Sequence, residues 1–245
     1  MRNAECGLRE VGFSIRNPKH VLSEAEGSEI RNKKGIFITF EGIDQCGKTA
    51  QAERLVRTLT HAGCEVVFTH EPGGTAISER IRAIVLDRNI AGMTGWTELL
   101  LMMASRAQHT EEVILPALHE GKVVICDRYA DCTAAYQGAG RGLDADTIAA
   151  LNRIATLGLI PELTILLDIP VEEAARRRRC ASIPEDRMEQ EDPDFHNRVR
   201  TGYLTLARLD PDRFLVVDGT QPMDRIEARI EKSVVEKLKQ VTRNT

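Results

Sequence analysis

The stretch GIFITFEGIDQCGKTAQ, residues 35–51, passes from a β-branched and aromatic run into a glycine-framed turn and then into helix-favouring residues. Gly42 to Thr49 fit the spacing G-x-x-x-x-G-K-[ST], with Ile43, Asp44, Gln45 and Cys46 between the glycines. The flanks suit it. Ile36 to Phe40 predict a buried strand, and Ala50 to Thr60 a helix with Leu55, Val56 and Leu59 on its apolar side. Glycines at 42 and 47 let backbone N–H groups turn inward, and the start of the helix adds partial positive charge, which together cradle phosphates. Lys48 would reach the outer phosphates, where a charge pair is worth roughly 4 kcal/mol at about 4 Å and an effective dielectric near 20. Thr49 would offer its hydroxyl to Mg²⁺. A glycine turn alone makes a plain bend, but lysine and threonine together have no packing reason to follow it. A nucleoside triphosphate is the expected ligand.

The chain of 245 residues, 42% hydrophobic and 29% charged, suits one α/β domain with a full core. Its 33 basic and 37 acidic residues give a formal charge of -4, so no global field draws it to nucleic acid. Six cysteines, at 6, 46, 64, 126, 132 and 180, form no C-x-x-C pair and no zinc-like cluster, and read as reduced thiols of a cytoplasmic protein. No apolar run approaches the roughly 20 residues that span a bilayer. Residues 1–34 are polar, carry Glu5, Glu10, Glu24, Glu26 and Glu29, and lack an apolar centre. They are expected to be a disordered extension or a mis-called start, with the folded domain over residues 35–245.

Beyond the first helix, CEVVFTH, KVVICD, ELTILLD and RFLVVDG read as further strands, separated by helical patterns in AISERIRAIVLD and TELLLMMASRAQHTEEVILPALHEG. A last helix runs from about Met223 to Gln240. Strands alternating with helices predict a doubly wound parallel sheet of about five strands with right-handed crossovers. Ligands gather at the carboxyl ends of such strands, so the loops to inspect begin at Gly42, His70, Asp127, Asp168 and Asp218.

One of these loops, DRYADCTAAYQGAGRG from Asp127 to Gly142, places Arg128 where a guanidinium fork would grip a second phosphate. A surface ion pair with Asp127 or Asp131 is the ordinary alternative. Arg106 follows Met102 by four residues and Met103 by three, so these share neighbouring helix faces: a core stripe capped by arginine, or an apolar floor with a donor beside it.

The motifs FEGIDQCGKTAQ, EPGGT, SRAQH, DRYADCTAAYQGAGRG, PELTILLD and DRMEQED stand in the order and at the separations seen in bacterial thymidylate kinases, which the chain resembles over about residues 35–235. That resemblance implies a P-loop nucleoside monophosphate kinase architecture with a short lid at about residues 180–192. It implies transfer of the γ-phosphoryl group of ATP to dTMP, with Mg²⁺, in a homodimer. Under it, Asp44 approaches the dTMP sugar and the metal, and Arg128 grips the dTMP phosphate. Arg106 and Gln137 meet the thymine edge, and Tyr136 crowds out a 2′-hydroxyl. Glu71, within EPGGT, and Met102 join the acceptor site.

Catalysis of phosphoryl transfer rests on positioning and on cancelling negative charge. One branch of the family carries an arginine in the phosphate loop where this chain has Gln45, so a lid cation is expected instead. Arg187, after Pro184, is the first choice and Arg179 the second. Asp186 and Glu189 would position the metal through water. Two positions depart from the family: His70 replaces an arginine before EPGGT, and Met102 stands where a phenylalanine would stack on thymine. The other readings are a kinase for another pyrimidine deoxynucleoside monophosphate, or a non-catalytic P-loop regulator. No N-K-x-D motif marks a GTPase switch.

Overall fold

The computed structural model describes residues 35–181 and 184–243. The expectation for residues 1–34 therefore lies outside the described residues. Strands β1 (Ile36–Glu41), β2 (Val66–His70), β3 (Val123–Asp127), β4 (Leu163–Asp168) and β5 (Phe214–Asp218) form one sheet in the order β2-β3-β1-β4-β5. Every pairing is parallel, with Ile38 beside Ile125 on one side and Leu163 on the other. This is the predicted architecture.

β1 lies at the centre and is buried throughout, because both of its faces meet helices. Ile36, Ile38 and Phe40 alternate onto one face, where they pack with Leu55, Leu59, Val199 and Ile230. Phe37 points the other way, into a smaller cluster with Ile114, Val124 and Tyr129. Full burial of each such side chain contributes about 1.5–3 kcal/mol.

Helix α1 (Lys48–His61) starts directly from the glycine turn, and α2 (Ala76–Leu86) is capped by Thr75, whose Oγ1 accepts from the Ser78 N–H at 3.1 Å. Helix α3 (Gly95–His109) continues through a π-turn at Thr110–Ile114 into α4 (Leu115–His119). A short helix α5 (Ala130–Thr133) likewise widens into a π-segment, Ala134–Gly140. Then come α6 (Ala145–Ala155), α7 (Val171–Ala181), α8 (Pro193–Leu209) and α9 (Met223–Arg243).

Helices α6 and α8 are absent from the sequence reading. Both carried a start signal: Asp144 caps α6, and Asp192 caps α8 with Pro193 in its first turn. α8 matters most, since its Phe195 and Tyr203 lie edge-on to Tyr136.

Candidate active site

The turn after β1 has the backbone that its glycines were expected to permit. Gly42 sits at φ 140°, and a Cβ there would lie 2.5 Å from the Leu167 carbonyl oxygen. Gly47 sits at φ 96° as the cap of α1. Lys48 is buried against its own loop, with Nζ 3.4 Å from the Ile43 carbonyl oxygen and 3.7 Å from an Asp44 oxygen. Gln45, at φ 62°, donates from Nε2 to Glu189 Oε1 at 3.4 Å.

β3 ends beside this loop, and the chain turns there through Arg128 at φ 71°, an unusual conformation for a side chain of this size. The turn is fixed by the Arg128 N–H donating to the Phe40 carbonyl at 2.9 Å. It sends the guanidinium back across the loop, where Nη1 donates to the Gly42 carbonyl at 3.0 Å and to Tyr203 Oη at 3.2 Å. Nη2 donates to Asp44 and, at 3.1 Å, to Tyr136 Oη, while the Tyr136 hydroxyl donates to the other Asp44 oxygen at 2.8 Å. Burial pushes the Asp44 carboxyl up, but the Arg128 guanidinium and then Lys48 outweigh it and hold Asp44 well below the usual carboxylate range.

A cavity of about 80 Å³ opens beside this cluster, lined by Asp44, Glu71, Pro72, Arg82, Val85, Leu86, Met102, Arg128, Cys132, Tyr136, Gln137, Asp186 and Met188. Six of the seven residues assigned to the second substrate lie here: Asp44, Glu71, Met102, Arg128, Tyr136 and Gln137. Met102 is buried on the cavity wall, whereas Met103 packs with Leu99 and Ile148 in a core cluster. His70 does not line the cavity; it pairs on the surface with Glu79 at 3.0 Å. A second cation beside Arg128 is Arg82 of α2, which sequence reading missed and which donates to the Pro72 carbonyl at 2.8 Å.

Arg106, the seventh, lies outside the cavity lining. It is fully buried and has four of its N–H groups engaged. They go to Glu71 Oε2 (2.8 Å), Thr133 Oγ1 (2.8 Å), Asn152 Oδ1 (2.7 Å) and the Tyr129 carbonyl (2.8 Å). Sequence spacing placed it beside Met102 but could not show the carboxylate of Glu71 behind it. Glu71 in turn meets His109 Nδ1 at 3.0 Å, and His109 Nε2 lies 2.6 Å from Thr69 Oγ1.

Arg187, expected as the lid cation, is held by a backbone carbonyl and a carboxylate. Its Nε donates to the Val85 carbonyl at 2.7 Å and its Nη2 to Glu98 Oε2 at 2.6 Å, which ties the lid to α2 and α3 and turns the charge away from the phosphate loop. A buried carboxylate captured the cation. Besides Arg128, Arg177 meets the phosphate loop, donating to the Gln45 and Cys46 carbonyls at 3.4 and 3.3 Å and to the Gly219 carbonyl at 2.8 Å. Arg179 is exposed at the end of α7.

The metal-ligand set also differs from the expectation. The Thr49 hydroxyl donates to Asp127 Oδ2, at the end of β3, and Asp127 Oδ1 is buried without a partner. Asp186 instead spends Oδ1 on the N–H groups of Met188 and Glu189, at 2.8 and 2.9 Å. Burial and the nearby Asp44 raise the Glu189 carboxyl above its usual value. Among the described residues no group of three or more His, Cys, Asp or Glu side chains is arranged to hold a metal by itself. Aspartate at the end of a strand beside a phosphate loop was the available signal for Asp127.

A phosphate loop with a second, arginine-bearing pocket set against it at the carboxyl ends of a parallel sheet defines a P-loop kinase of the nucleoside monophosphate class. The thymidylate kinase family model matches residues 40–230, and a thymidylate kinase of Geotalea uraniireducens is 50% identical over 209 residues, covering 83% of this chain and 98% of that one. The chain belongs to the thymidylate kinase family. A relative of the same name from Geobacter sulfurreducens is 52% identical over 199 residues, covering 79% and 92% of the two chains. The crystal structure of thymidylate kinase from Ehrlichia chaffeensis superposes with a TM-score of 0.67 at 32% identity, over 82% of this chain and 99% of that one.

Proposed function

We propose that the chain transfers the γ-phosphoryl group of ATP to dTMP, giving dTDP and ADP. The observation that carries this reading is Arg128, whose single guanidinium touches the phosphate loop at Gly42 and lines the acceptor cavity. Two anions held on either side of it lie close enough to react, and placing them so supplies most of what phosphoryl transfer needs. The loop from Gly42 to Thr49 takes the ATP phosphates, with Lys48 on the transferring group. Asp44 and Tyr136 hold the Arg128 fork in place before substrate arrives. Arg177 braces the loop through its carbonyls.

Mg²⁺ fits the pair Thr49 and Asp127, because Asp127 keeps one buried oxygen without a partner. Those two residues would hold the ion, which would supply charge neutralisation at the donor phosphates. Ligand pockets are usually about 300–1,000 Å³. The cavity of about 80 Å³ is thus a closed form, and Asp186 and Met188 of the lid must lift to admit a nucleotide.

We place the protein in the cytoplasm, where free thiols such as Cys46, Cys64, Cys126, Cys132 and Cys180 stay reduced. No described helix is long and apolar enough to cross a membrane. A homodimer is supported by exposed apolar side chains on α2 and α3, namely Ile77, Ile84, Trp96 and Leu100.

The test is a coupled ADP-release assay against a panel of nucleoside monophosphates, with dTMP expected as the preferred acceptor. Lys48→Ala should lower kcat roughly a hundredfold or more while the protein stays folded, as loss of an electrostatic stabiliser does. A folded Lys48→Ala protein with unchanged turnover would exclude the assignment.

A further inference from the structure

Glu98, on α3, is only 1% exposed and accepts four hydrogen bonds from three residues that lie far from it in sequence. Oε1 takes Gln137 Nε2 at 2.8 Å and Arg141 Nε at 3.2 Å. Oε2 takes Arg141 Nη2 at 3.0 Å and Arg187 Nη2 at 2.6 Å. The two-point contact with Arg141 already balances the buried charge. The contact with Gln137 has a different consequence. A carboxylate offers only acceptors, so it selects the NH₂ end of the amide and turns the oxygen the other way. That oxygen, Gln137 Oε1, is buried without a partner on a residue of the cavity wall.

An unpaired acceptor suits a ring that presents an N–H on its reading edge, as the imide of thymine does. A 4-aminopyrimidine presents a lone pair at the same ring nitrogen and meets oxygen with repulsion. We propose that Glu98 is a positioning residue that locks the Gln137 amide with its oxygen toward the acceptor base, and so selects imide pyrimidines over 4-aminopyrimidines. The lid takes part. Arg187 docks on the same carboxylate, and its backbone N–H donates to the Leu86 carbonyl at 3.1 Å, so closing the lid tightens the group that orients the reading amide. This inference rests on the cavity being the pyrimidine monophosphate site.

Initial-rate kinetics with dTMP and dCMP on the full chain test it. The unmodified protein should favour dTMP in kcat/KM. Glu98→Gln offers either a donor or an acceptor to Gln137, frees the amide to flip, and should narrow that preference about tenfold or more, since a site built around a hydrogen bond discriminates through it. The exchange Glu98→Gln with Gln137→Glu reverses the pair. The amide introduced at 98 donates to the carboxylate introduced at 137, the cavity again meets only an acceptor, and the preference should widen again with total charge unchanged. Arg187→Gln should raise the KM for dTMP and narrow the preference less than Glu98→Gln does. A folded Glu98→Gln protein that keeps the full preference overturns the proposal. If that variant does not fold, a folded exchange variant without the preference overturns it equally. An unmodified protein indifferent to the two bases would instead sink the reading of the site, and the inference with it.

Discussion

At Arg106 a permanent positive charge has no exposed surface, so everything it gains must come from Glu71, Thr133, Asn152 and the Tyr129 carbonyl. Those four partners come from the turn after β2, the end of α5, α6 and the turn after β3. Arg106→Ala leaves Glu71 buried with only His109 beside it, and losing one partner of a buried ion pair typically costs about 3–5 kcal/mol. The expected result is a large fall in Tm or in the denaturant midpoint, with any change in the dTMP KM secondary. A variant of unchanged stability and raised KM would return Arg106 to the base-binding role that its spacing suggested. Met102 and Arg106 show what spacing can and cannot tell. The four-residue interval fixed their adjacency on α3, but only the fold could decide that the methionine faces the cavity and the arginine faces a carboxylate.

Among elements, the contact of α8 with the Ala134–Gly140 segment sets the acceptor side. A Cβ on Gly202 would lie 2.6 Å from the Ala139 Cβ, and one on Gly140 would lie 2.7 Å from the Phe195 ring. The two backbones approach as closely as glycine allows, and this brings Tyr203 and Tyr136 together around Arg128. Gly202→Leu must therefore push α8 outward, with an overpacking cost of about 1–3 kcal/mol. Because both tyrosines would shift, kcat/KM for dTMP should fall more than the affinity for ATP, as separate titrations of the two substrates would show. The strands were legible because buried parallel strands read as short β-branched runs, and the phosphate loop because its chemistry is local. α8 was not, although Asp192-Pro193 marked its start: the many charged residues from Arg176 to Asp192 drew that whole region into a lid. Arg82 and Arg177 escaped for another reason. Each takes its place through contacts between segments that sequence order separates, so no local pattern announces them.

Over the whole molecule, buried carboxylates should give stability two distinct limbs with pH. Burial, and then Asp131, push Glu41 from 4.5 up to about 8, despite the opposing pull of Arg128. A raised folded value favours the folded state fully below the unfolded value, and the benefit is lost as pH rises through about 8. Asp44 and Glu98 act in the opposite sense. Burial pushes both up, but the facing arginines hold them lower, so their benefit is present above their ordinary values of 3.8 and 4.5 and disappears in acid. Tm should thus pass through a maximum near about pH 5 and decline toward pH 8. Glu41→Gln should flatten the decline from about pH 5 to 8 and leave the acid limb, and calorimetry across that range would read it. An unaltered slope would mean that Glu41 stays ionised beside Tyr129 and Tyr203. Finally, the single Arg128 fork answers to Gly42 and Asp44 in the phosphate loop, to Tyr136 and to Tyr203. Anyone retargeting this scaffold to a new acceptor by transplanting one loop will find that it does not divide into modules: the arginine has to travel with three other segments, or it arrives without the geometry that makes it useful.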